Sequence, residues 1–127
     1  MGDCYSVYFK GKIKNPAAFV EKSKAFVRAP QFTGGLKIAP ECYEKGDETT
    51  PRGILGIIFA EVHQPYGFTV MEGTKADENI FEVNAGFDAT YSWGLVLEGW
   101  WHQIEDTLEE GAVFDVDADE TKFNYIA

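Results

Sequence analysis

Apolar and polar positions alternate from Tyr5 onward. Tyr5, Val7, Phe9 and Ile13 share one face of a period-two pattern, and Ser6, Tyr8, Lys10, Lys12 and Lys14 share the other. A period of two marks a strand with one buried face. Asn15-Pro16 then supplies a helix start, an N-cap side chain followed by a proline whose missing N–H costs nothing at the first helical position. Phe19, Val20, Ser23, Phe26 and Val27 follow at helical spacing, with Glu21, Lys22, Lys24 and Arg28 opposite, and the pattern stops before Pro30.

Gly34-Gly35 marks a turn, and Leu36 and Ile38 suggest a short strand. Residues 40–52 are polar and rich in turn formers, which predicts a mobile loop. Gly53 to Val62 is almost wholly apolar and Ile-rich, and reads as a central strand buried on both faces. Gln64-Pro65-Tyr66-Gly67 predicts a turn into a returning strand, Phe68 to Glu72. Phe81, Val83, Ala85 and Phe87 alternate with polar or small residues and predict another strand.

A second helix is expected from Thr90 to Glu110, capped by Asp88 or Thr90. At 100° per residue, Trp93, Val96, Leu97, Trp100, Trp101, Ile104 and Leu108 cover one arc. Glu98, His102, Glu105, Asp106, Glu109 and Glu110 cover the opposite one. Gly111 suits the position that ends a helix. Phe114, Val116 and Ala118 then alternate with Asp115, Asp117 and Asp119, and a last strand is expected from Lys122 to Ile126.

The predicted order is β-α-β-β-β-β-α-β-β. It resembles a ferredoxin-like topology with extra strands: an α+β, two-layer α/β sandwich with two helices packed on one face of a mainly antiparallel sheet. At 127 residues the chain is expected to be one domain, 1–127. Apolar residues at 45% and aromatics at 15% suffice for a core.

Charge narrows the partners. The net charge is −10, with a pI of about 4.5. That argues against direct nucleic-acid contact, which needs clustered Lys and Arg, and against an anionic membrane surface. The longest apolar run, Ile54 to Ala60, is too short to span a bilayer. The N-terminus lacks a signal-peptide pattern, so a cytoplasmic protein is expected. Gly2 and Ser6 match a myristoylation pattern, but Ser6 lies within the first strand and the match reads as chance.

Chemistry is sparse. Asp115, Asp117 and Asp119 copy the first half of a calcium loop. Glu120 then stands where the turn needs Gly, and Ile126 stands at the twelfth position, so an exposed strand edge is the stronger reading. His102 lies among Glu98, Glu105 and Asp106 on one helix surface, in a field that favours its imidazolium. Cys42, with His63 or His102, is formally a nucleophile pair but lacks the surroundings of a cysteine enzyme. Cys4 is expected to pack as a small hydrophobe. Trp101 either joins the core or anchors a partner.

No cofactor or metal is expected, no catalytic residue can be assigned, and the reading leans away from an enzyme. The favoured expectation is a non-catalytic acidic protein that binds a macromolecule, a protein with a basic surface, through Glu98, His102, Glu105, Asp106, Glu109, Asp115 and Asp117. One alternative is a small-ligand or enzymatic pocket between sheet and helices, lined by Tyr8, Phe59 and Trp101. Another is a homo-oligomeric module using the long apolar strand Gly53–Val62.

Overall fold

A computed structural model describes residues 3–29, 48–61, 67–72, 79–89 and 93–127. Strand β1 (Asp3–Lys12) leads into helix α1 (Pro16–Arg28). Helix α2 (Pro51–Gly56) continues as one wide π turn over Ile57–Glu61. Strands β2 (Gly67–Glu72) and β3 (Ile80–Ala89) come next. Helix α3 (Trp93–Ile104) is followed by a 3-10 turn, Glu105–Thr107, and by strands β4 (Val113–Asp117) and β5 (Lys122–Ile126).

The five strands form one sheet in the order β2-β3-β1-β4-β5, with every neighbouring pair antiparallel. β1 lies at the centre, and its alternation turns one face to the core. Tyr5, Val7 and Phe9 are buried against the helices, while Ser6 and Lys10 are exposed on the open face. β3 and β4 repeat the division, with Phe81, Val83, Phe114 and Val116 inward. The class is therefore α+β.

α1 begins as its sequence predicts. The Asn15 side chain accepts a hydrogen bond from the Ala18 N–H, and Pro16 opens the helix. The stretch expected to be a central strand is instead helical. Thr50 accepts a hydrogen bond from the Gly53 N–H, and Pro51 takes the first turn, the same two-residue start that opens α1. Ile54, Leu55, Ile57, Ile58 and Phe59 are all buried. A segment covered on all sides has no polar stripe, so its pattern does not separate helix from strand. The far end of the expected mobile loop is also anchored: Arg28 donates two hydrogen bonds to Glu48, at 2.9 and 3.1 Å, two residues before the cap.

α3 is shorter than the predicted Thr90–Glu110 helix. Asp88 lies within β3, where its backbone pairs with Cys4 in the β1–β3 ladder before α3 begins. The N–H of Gly94 instead donates to the buried hydroxyl of Tyr5, 3.1 Å away. At the other end the Thr107 hydroxyl donates to the Ile104 carbonyl at 2.6 Å. Leu108 then turns extended and bridges Ile13, while Lys14 and Asn15 donate their N–H groups to the Thr107 carbonyl. These contacts with the β1–α1 corner outweigh the helical preference of Glu109 and Glu110. Gly111 falls in the turn toward β4, where its φ of +99° needs glycine.

Trp100 is the hub of the core. Its ring lies 5.8 Å from Phe9 and 5.5 Å from Phe114 in the sheet, 6.3 Å from Phe19 and 6.0 Å from Phe26 in α1, and 5.8 Å from Phe59 beside α2. Its indole N–H donates to the buried Ser23 hydroxyl at 3.0 Å. One indole thus joins the sheet and all three helices on a single face. The expected strand at Leu36 and Ile38, the turn at Gln64–Tyr66 and the Thr90 cap lie outside the described residues.

Candidate functional site

One flank of helix α3 meets β5. Trp101 is buried, its ring stacked between Phe114 at 5.6 Å and Tyr125 at 6.2 Å. This places Trp101 in the core and removes it as a partner anchor. The stack also fixes the Tyr125 ring, and the Tyr125 hydroxyl donates a hydrogen bond to Glu98 one helical turn away. His102 lies over the same ring, 5.2 Å between centroids, and its Nδ1 is 3.0 Å from Glu105 Oε2. Glu98, His102, Glu105 and Tyr125 thus form one cluster.

The hydrogen bond to Glu98 raises the Tyr125 phenol above its ordinary 10.0, helped by partial burial and the negative charges of Glu98 and Glu105. A phenol held in this way keeps its proton at neutral pH and is a poor donor to a substrate.

The other predicted residues are dispersed. Asp106 turns toward α1, where Lys22 Nζ donates to its two oxygens at 2.9 and 3.1 Å. That bond holds its carboxyl below the ordinary 3.8. Glu109 meets Lys12 at 3.5 Å beyond the end of α3. Asp115 and Asp117 point away from the helices, on the open face of the sheet, and Asp117 meets Lys122 at 3.5 Å. The calcium-like run is therefore strand β4 over Asp115–Asp117. Among the described residues, no three His, Cys, Asp or Glu side chains gather as a metal site. The acidic field thus spans both layers around the β4–β5 edge, with only part of it on the helix.

Sequence reasoning missed Tyr125 in this cluster and the contact of Tyr8 on the open face of the sheet. Tyr125 was read only as a residue of the last strand; its partner Glu98 is 27 positions away, beyond the reach of any local pattern. Tyr8, on the open face, donates to Glu82 at 2.8 Å, which raises its phenol. The Tyr8–Glu82 contact joins neighbouring strands and is set by register, whereas Tyr125–Glu98 is set by the packing of α3 on β5.

The expected pocket residues do not line a cavity together. Tyr8 is on the open sheet face, and Phe59 and Trp101 are packed in the core. A cavity of about 690 Å³ does lie between α1 and α3, walled by Ala25, Phe26, Leu95, Val96, Gly99 and Trp100, with Glu21, Lys22 and Gln103 as its polar members. Among the described residues it holds no histidine or cysteine. Cys4 is exposed on the open face and is not packed inside. Cys42 and His63 lie outside the described residues. Among the described residues, no helix is long and apolar enough to cross a membrane.

No protein-family model, curated protein or solved structure matches this chain.

Proposed function

We propose that this chain is a non-catalytic binding protein that engages a protein with a basic surface through the carboxylates of α3, β4 and the turns that follow them. The observation that carries the reading is a charge imbalance. No Lys or Arg occurs between Lys75 and Lys122, while Glu98, Glu105, Asp106, Glu109, Glu110, Asp115, Asp117, Asp119 and Glu120 all do. Lys22, Lys12 and Lys122 reach Asp106, Glu109 and Asp117. Among the described residues, no Lys or Arg pairs with Glu98, Glu105 or Asp115. Carboxylates left in a field of one sign attract a cationic surface and speed its encounter.

The finer architecture belongs to the same proposal. The order β2-β3-β1-β4, antiparallel throughout, with α1 and α2 between β1 and β2 and α3 between β3 and β4, supports a ferredoxin-like sandwich extended by β5. Fold alone assigns no activity, so the functional reading rests on the charge.

Affinity capture from the source cell tests it, with wild type and Glu105→Lys/Glu109→Lys as paired baits. Both side chains are 45% exposed, so reversal leaves the core untouched. A basic protein retained by wild type, released as ionic strength rises and lost to the reversed bait is the expected outcome. A partner held equally by both baits, or held without regard to salt, overturns the reading.

A further inference from the structure

We infer that the outer edge of β5 pairs with β5 of a second copy of this chain, joining two sheets across a two-fold axis centred on Asn124. The ladder phase carries the argument. The Ala127 N–H donates to the Ala112 carbonyl at 2.8 Å, and the Ala118 N–H to the Thr121 carbonyl at 2.9 Å. Residues of odd number in β5 therefore turn their backbone groups toward β4. In an antiparallel ladder the N–H and C=O of one residue point the same way, and the direction alternates along the strand. Lys122, Asn124 and Ile126 thus present their N–H and C=O groups outward. β5 is the last strand of the sheet, and among the described residues nothing pairs with that edge.

These three residues are symmetric about Asn124. An antiparallel copy in register places Lys122 opposite Ile126, Asn124 opposite Asn124 and Ile126 opposite Lys122. All are in the hydrogen-bonding phase, giving about six interchain bonds. The side chains fit that register. Phe123 meets Tyr125 on the helix side, a favourable aromatic cross-strand pair. On the open face the Lys122 stem covers Ile126, which is 68% exposed in the single chain. β5 carries one lysine and no carboxylate in a chain of net charge −10, so no like charges meet across the seam. The strand is also already ordered, by the Trp101–Tyr125 stack and the Tyr125–Glu98 bond, so pairing costs little further freedom.

Sedimentation of the full chain across the micromolar range tests this, with Ile126→Lys and Asn124→Pro as variants. Ile126→Lys sets two lysines opposite each other at both ends of the seam. Asn124→Pro removes an N–H that the β4 ladder does not use. Wild type is expected to dimerise, and more tightly as salt screens the two acidic bodies. That sign is opposite to the one for a basic partner, so the two proposals fail separately. Each variant is expected to weaken the dimer about tenfold or more, with its near-ultraviolet dichroism unchanged. A wild-type monomer throughout the range overturns the inference. So does a dimer that persists in both folded variants, because it would use another surface.

Discussion

Replacing Trp100 by alanine removes a side chain that touches the sheet and all three helices. The indole is fully buried, with five aromatic rings of the described residues within 6.3 Å and a hydrogen bond to Ser23. Large-to-small changes of an aromatic core residue cost about 3–5 kcal/mol. Two features place this site at the upper end. The walls belong to three helices and a sheet that cannot collapse together into the space. The Ser23 hydroxyl, buried in α1, also loses its donor. A loss of about 5 kcal/mol is therefore expected, out of a total of roughly 6–19 kcal/mol for a chain of this size. The assay is urea unfolding followed by far-ultraviolet dichroism, because tryptophan fluorescence would change with the mutation itself. Ser23→Ala alone should cost about 1–3 kcal/mol by leaving the indole N–H unpaired. In a Trp100→Phe background the same change should cost clearly less, since the bond is already gone. Trp100→Ala within about 1 kcal/mol of wild type would refute the hub assignment.

Two further consequences follow from close contacts. A Cβ on Gly11 would lie 2.5 Å from the Ala112 Cβ, so Gly11→Ala should cost about 1–3 kcal/mol in chemical denaturation and be largely rescued by Ala112→Gly; additive losses would refute the contact. Tyr125 should ionise above pH 10 in a phenolate absorbance titration and return toward its ordinary value in Glu98→Gln. The fold favours the neutral phenol, so this contribution to stability is full below pH 10 and is lost as pH rises through the raised value. An unchanged titration curve in Glu98→Gln would remove the Tyr125–Glu98 bond from the account.

The sequence by itself determined the elements whose pattern is local. β1 shows one buried face at period two, α1 announces its Asn15-Pro16 start, and the Trp93–Ile104 arc shows which side of α3 is inward. Tertiary structure decided the rest. It made α2 a helix: a segment buried on nearly every side carries no periodic signal that separates helix from strand, and the Thr50-Pro51 start lay in the stretch read as a loop. It ended α3 at Ile104, because Leu108 gains a partner in Ile13 that no helix could offer. It also divided the predicted acidic face. Glu98, His102 and Glu105 remained together over Tyr125, while Asp106 and Glu109 turned to lysines of α1 and β1, and Asp115 and Asp117 to the opposite side of the sheet. Periodicity reports which face of an element is buried. Where that face ends, and which distant charge it meets, depends on packing between elements far apart in the chain.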